Sequence, residues 1–107
     1  MIYVFDLDNT LCKTVHDGHR WLYEQATPIP ERIAAVNALY DAGHTIKIDS
    51  ARGCDSGKNW LGVTVKQLRD WGVKYHTART GLKFGGDVFV DDKGVRDVDF
   101  FKDVADG

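Results

Sequence analysis

With 107 residues the chain has room for one small domain, taken as residues 1–107, and its 43% hydrophobic content is enough for a core. A formal charge of −2 gives no general attraction to polyanions, which argues against nucleic acid as the main partner. No apolar run approaches the length of a membrane span, and Cys12 and Cys54 are too few for a disulfide framework or a zinc cluster.

The chain opens on Ile2-Tyr3-Val4-Phe5, a β-forming apolar run that stops at Asp6. Such a run reads as a short strand buried on both faces, as in the middle of a parallel sheet. It leaves no space for a secretory leader, so with reduced cysteines a cytoplasmic setting is expected. Residues 9–29 read as a loop region with one helical turn near Trp21 to Glu24. Pro30 suits a first helical position, Ile33, Val36, Leu39 and Tyr40 recur at helical spacing, and Gly43 stands where a helix would stop.

A second strand is expected over His44 to Ile48, finishing at Asp49-Ser50. Thr64-Val65-Lys66-Gln67 has the form of a capping box and announces a helix carrying Leu68 and Trp71, with Gly72 as its stop. Val73 to His76 reads as a third strand, and Asp87-Val88-Phe89-Val90 as a fourth, ending in Asp91-Asp92. In the last fifteen residues, Val98, Phe100 and Phe101 are expected to cover a sheet edge or one end of the core. Alternating strands and helices favour an α/β fold, a three-layer Rossmann-like parallel sheet with helices on both faces. Ligands in such sheets bind beyond the carboxyl ends of the strands, where Asp6, Ser50 and Asp91-Asp92 would meet.

Asp6 and Asp8, separated by one residue, point to the same side of an extended chain. Two such carboxylates repel unless a cation lies between or beside them, and Mg²⁺ commonly takes one or two carboxylates together with phosphate oxygens. Either acidic pair alone also fits a plain strand-ending turn. Two strands that both end in acids, in a near-neutral chain, are what a divalent-metal site needs. Ser50, followed by Ala51-Arg52-Gly53, offers a hydroxyl, backbone N–H groups and a cation for a phosphate oxygen. Lys83 stands before the fourth strand and can reach the strand ends as a point charge, with Lys58 and Lys93 as rivals for that role.

Assembled in this order, these residues resemble the haloacid dehalogenase-like phosphatase superfamily. Its Asp-x-Asp-x-Thr motif matches Asp6-Leu7-Asp8-Asn9-Thr10, its strand-closing hydroxyl matches Ser50, its lone lysine is best matched by Lys83, and its acidic pair matches Asp91-Asp92. The resemblance implies an Mg²⁺-dependent phosphomonoester hydrolase in which Asp6 attacks phosphorus and Asp8 serves as general acid and then base. It implies metal ligation by Asp6, the Asp8 carbonyl, Asp91 and Asp92, and phosphate binding by Asn9, Thr10, Ser50, Ala51, Arg52 and Lys83. Neither gap between motifs has room for a cap domain, so a capless member is expected, open to a large phosphate ester or to a small phosphorylated molecule enclosed by a neighbouring subunit. With few residues after the fourth motif, a trimmed sheet edge that could pair in a homodimer is expected. Residues 12–28 are the one candidate flap, with His16, His19, Arg20 and Trp21 its candidate substrate contacts. Family analogy suggests sugar phosphates or, as an alternative, 3′-phosphorylated polynucleotides. A regulatory module that binds metal and phosphate with slow turnover is the reading from another class; an intact Asp8 speaks for turnover.

Overall fold

A computed structural model describes residues 1–53, 57–81, 88–91, 95–96 and 101. Strand β1, Ile2–Phe5, is followed by a small antiparallel pair, β2 (Cys12–Lys13) and β3 (Thr27–Pro28), with a 3₁₀ turn at Tyr23–Gln25 between them. Helix α1 (Pro30–Asp41), strand β4 (Thr45–Ser50), helix α2 (Leu61–Asp70) and strand β5 (Thr77–Thr80) complete the first half of an α/β fold. Strands β6 (Val88–Asp91) and β7 (Val95–Arg96) return to the sheet. All pairings in the five-stranded sheet are parallel, in the order β5-β4-β1-β6-β7. Among the described residues, no helix is long and apolar enough to cross a membrane.

This order places β1 in the centre. The chain winds outward through β4 and β5, then resumes on the other side of β1 with β6. The reversal lies between β1 and β6, which in open α/β sheets is where a crevice forms beyond the strand ends. Phe5 is in register with Val90, so Asp6 and Asp91 are the next residues along the two adjacent strands.

Tyr3 pairs with Ile46 and Phe5 with Ile48, so these four side chains share one face of the sheet. Phe5, Ile46 and Ile48 are fully buried in one cluster with Ile33 and Val36 of α1 and Leu68 of α2. Both helices therefore pack against the same face, as right-handed crossovers running in one direction require. Phe101 joins them, its ring 6.2 Å from that of Phe5 and 5.0 Å from the Arg32 guanidinium carbon, in line with its expected place over the core. Val98 and Phe100 lie outside the described residues.

Both helix ends match the expected stops. Gly43 N–H donates to the Tyr40 carbonyl and His44 N–H to Leu39; Gly72 donates to Arg69 and Val73 to Leu68. These are paired Schellman bonds, and the φ of +95° at Gly43 and +71° at Gly72 explains why glycine stands at each.

Three expectations need correction. The capping box does not start α2: the helix begins one turn earlier at Leu61, whose N–H is taken by Asn59 Oδ1 at 2.9 Å. Val73 to His76 is not a strand. Val73 completes the helix stop, and the third large strand is Thr77–Thr80, selected by its register with Lys47 to Ser50. The region 9–29 is not simply a loop. It contains the β2–β3 ladder, while the expected helical turn is present as a 3₁₀ turn at Tyr23–Gln25.

Candidate active site

The turn after β1 is organised by Leu7. Its carbonyl accepts N–H bonds from Thr10 (3.2 Å), Leu11 (2.9 Å) and Cys12 (3.2 Å), while its side chain is fully buried with Leu11. Sending Leu7 inward sends its neighbours outward, and Asp6, Asp8 and Asn9 together line a cavity of about 180 Å³. The i, i+2 spacing thus sets both carboxylates on one side. Asn9 adopts a left-handed φ of +61°, tolerated by an Asn, and its Oδ1 accepts the Thr14 N–H at 3.1 Å. Thr10 is buried, and its carbonyl accepts Arg32 Nη1 at 3.0 Å.

Asp8 is held on several sides. Arg52 Nε donates to Oδ2 at 3.0 Å, Arg52 Nη2 to Oδ1 at 2.8 Å, and the Thr14 hydroxyl to Oδ1 at 2.6 Å. Cys12 Sγ lies 3.7 Å from the same Oδ1. Burial is the main cause that pushes the Cys12 thiol up to about 11, the nearby Asp8 charge adding to it and the Thr14 hydrogen bond opposing it. Cys12 is therefore a packed neutral thiol and not a nucleophile.

Arg52 was expected on a phosphate, and its location is more specific. The side chain is buried; Nη1 donates to Thr64 Oγ1 at 3.1 Å and Gln67 Oε1 at 2.6 Å, and the guanidinium lies 5.0 Å from the centre of the Tyr23 ring. Gln67 Nε2 in turn donates to the Tyr23 carbonyl at 2.6 Å. The two residues read from sequence as a helix cap are the acceptors that hold Arg52. Thr64 and Gln67 are three apart and so lie on one face of α2.

Ser50 is fully buried, and its Oγ accepts the Arg52 N–H at 3.1 Å, turning the chain sharply after β4. Ala51 is brought to the cavity wall beside Asp6 and Asp8. Asp91 is described by its backbone at the end of β6; Lys83, Asp92 and the rival Lys93 lie outside the described residues. Among the described side chains, no three His, Cys, Asp or Glu groups converge as a ready metal cage.

A second cavity, of about 500 Å³, adjoins the first and shares Trp21, Tyr23 and Ala51 with it. The candidate flap residues His16, His19, Arg20 and Trp21 all line this space. Trp60, Lys58 and Gly53 face them from the segment before α2. The flap tip is held by Asp17 Oδ1, which accepts the backbone N–H groups of His19 (2.8 Å) and Arg20 (2.9 Å). Those bonds, that of Arg20 foremost, lower the Asp17 carboxyl below its usual range. Lys58, a rival for the lysine role, stands 4.5 Å from the centre of the Trp60 ring.

No family model matches this chain, and no curated protein does. A solved structure does: the crystal structure of a structural-genomics target from Vibrio cholerae is 22% identical, with a TM-score of 0.69 over 94% of this chain and 87% of that one. At that identity the likeness carries the fold alone.

Proposed function

We propose that the protein is an Mg²⁺-dependent phosphomonoesterase of the haloacid dehalogenase-like type, working through an aspartyl-phosphate on Asp6. The observation that carries this reading is the cavity at the sheet's reversal point, lined by Asp6 and Asp8, with Asp8 fixed by a buried arginine.

The donor set suits the metal. Asp6 and Asp91 directly follow the in-register pair Phe5 and Val90 of two adjacent strands, and carboxylate and carbonyl oxygens are the ligands a hard divalent cation selects. Asp6, the Asp8 carbonyl, Asp91 and Asp92 would hold it, and bound there it would neutralise charge on the phosphoryl oxygens. Asp6 attacks phosphorus and displaces the leaving oxygen, dividing one difficult step into two. Asp8 gives its proton to that oxygen and later takes one from the attacking water. Oδ2 is the less occupied atom for it, receiving Arg52 Nε alone, whereas Oδ1 receives both Thr14 and Arg52 Nη2. The Ala51 backbone N–H, Asn9 and Lys83 are assigned to the phosphoryl oxygens.

We infer further that the architecture is three-layered and capless. Val4, on the face opposite both helices, is itself fully buried, which supports a second covering layer. The described chain between Asp8 and Ser50 is occupied by the β2–β3 pair, α1 and β4, which leaves a hairpin flap where a cap domain would stand. A phosphorylated small molecule such as a sugar phosphate suits a cavity with that cover, and a cytoplasmic enzyme suits the reduced, buried Cys12.

The test is hydrolysis of p-nitrophenyl phosphate with Mg²⁺ and with EDTA, for wild type, Asp6→Asn and Asp8→Asn. Metal-dependent turnover that falls by about 10²-fold or more in both variants is expected. Turnover that persists in Asp6→Asn would refute the nucleophile.

A further inference from the structure

The two cavities are joined by shared walls, since Trp21, Tyr23 and Ala51 line both. An ester whose phosphate reaches Asp6 has these residues beside it. Its orientation follows from Asp8, which must face the leaving oxygen. Asp8 bonds Arg52 at 2.8 Å, the Arg52 guanidinium lies 5.0 Å from the centre of the Tyr23 ring, and Tyr23 meets Trp60 edge-to-face at 5.0 Å. That line of contacts leads from the proton-transferring carboxylate to the larger cavity, whose volume of about 500 Å³ is ordinary for a small-molecule site.

The aromatic walls of that cavity are held in place. Trp60 is only 7% exposed. Gly53 has a φ of +84°, and a Cβ there would run into the Lys58 carbonyl and come within 3.1 Å of Trp60 Cδ1, so the loop lies this close to the indole only with glycine. Trp21, in contrast, is 42% exposed at the flap. Its backbone is fixed all the same. Trp21 is bridged to His16, Leu22 N–H donates to the Val15 carbonyl at 2.9 Å, and Asp17 N–H donates to that of Arg20 at 3.1 Å. The His16 ring stands edge-on to the indole, centres 5.0 Å apart. An indole that is open to solvent on a fixed backbone is a preorganised face for a flat ring to lie against.

We propose that the larger cavity takes the ring of a ring-bearing phosphomonoester, with Trp21 the residue that selects it by face contact. This rests on the phosphatase reading above and narrows its substrate. The phosphate to be cleaved lies at Asp6, the leaving oxygen faces Asp8, and the ring lies between Trp21 and the Tyr23–Trp60 corner. A pyranose and a nucleobase share this chemistry, each offering one broad flat face.

The experiment is calorimetric titration of the Asp6→Asn protein in Mg²⁺ with two matched pairs. They are glucose 6-phosphate against its open-chain counterpart sorbitol 6-phosphate, and adenosine 5′-monophosphate against ribose 5-phosphate. The first member of at least one pair is expected to bind about fivefold tighter or more, the size of one ring stacked on an aromatic side chain. The pair that shows the preference identifies the source. Adding Trp21→Ala, or Trp21→Leu, which keeps apolar bulk without an aromatic face, should bring that ratio to about one, and Trp21→Phe should retain most of it. Equal binding within both pairs, undetectable binding of all four esters, or a preference unchanged by Trp21→Leu would overturn the proposal. Wild-type turnover of p-nitrophenyl phosphate is read separately. Turnover without a ring preference leaves the phosphatase and removes this site, whereas a Trp21-dependent preference without turnover keeps the site and removes the phosphatase.

Discussion

Arg52 grips Asp8 with two different nitrogens, Nε on Oδ2 at 3.0 Å and Nη2 on Oδ1 at 2.8 Å, while its remaining nitrogen is held by α2. The carboxylate assigned to proton transfer is thus set in angle as well as position by a residue 44 places away in the chain. An arginine is needed because the fork supplies two parallel donors, and a lysine supplies a point charge.

Arg52→Lys is expected to lower kcat/KM by about 10- to 100-fold, or roughly 1.4 to 3 kcal/mol of transition-state stabilisation. The loss should be larger for an alkyl phosphate than for p-nitrophenyl phosphate, because the poorer leaving group needs the proton from Asp8 more. Equal losses on both esters would place Arg52 outside proton transfer.

Gln67→Met removes the acceptor of a buried arginine N–H and the donor to the Tyr23 carbonyl. A loss of about 1 to 3 kcal/mol in unfolding free energy is expected by urea titration. Lys66→Met on the same helix breaks only an exposed pair with Asp70 and should stay within about 0.5 kcal/mol.

The glycines of the segment around α2 should respond with opposite signs. Gly53→Ala forces a side chain against the Lys58 carbonyl at a positive φ, and a destabilisation of about 2 kcal/mol or more is expected. Gly62 lies inside α2 with open space around it, so Gly62→Ala should stabilise by about 0.5 to 1 kcal/mol. Thermal melts of the two variants decide it.

Burial holds the Cys12 thiol neutral up to about 11 in the folded chain, against an ordinary 9.0. The unfolded chain therefore loses this proton first, and Cys12's contribution to stability is complete below pH 9 and is lost between about pH 9 and 11. Over that window a decline on the order of 2 kcal/mol is expected from this group, absent in Cys12→Ala. Urea unfolding of both proteins at pH 8, 9, 10 and 11 measures the difference in slope.

Much of the frame is legible in local chemistry. Ile2 to Phe5 reads as a buried strand because nothing in it is charged, and Pro30 and Gly43 bound α1 because each suits one backbone position there. Asp6 and Asp8 share a cavity because the chain leaves a strand extended. What could not be read locally is whatever a distant partner decides. Thr64 and Gln67 have the spelling of a cap, yet they serve Arg52; the signal was an arginine after a strand-ending Ser, followed by a hydroxyl and an amide three apart on one helix face. Thr77 to Thr80 is less apolar than Val73 to His76, and only its register with β4 makes it the strand. The β2–β3 ladder is two residues long on each side, too short for any periodicity to show.

The route by which Arg52 is held also has a temporal meaning. As the chain emerges from the ribosome, Asp6, Asp8 and Thr14 appear first and Arg52 well after them, but the guanidinium has no helix acceptors until Thr64 and Gln67 have been made. A nascent chain ending at Trp60 would possess every residue of the smaller cavity, with nothing at the far end of Arg52 to hold it taut. Full anchoring of Asp8 therefore arrives with α2, so one of the first carboxylates to be made is among the last to be put in order.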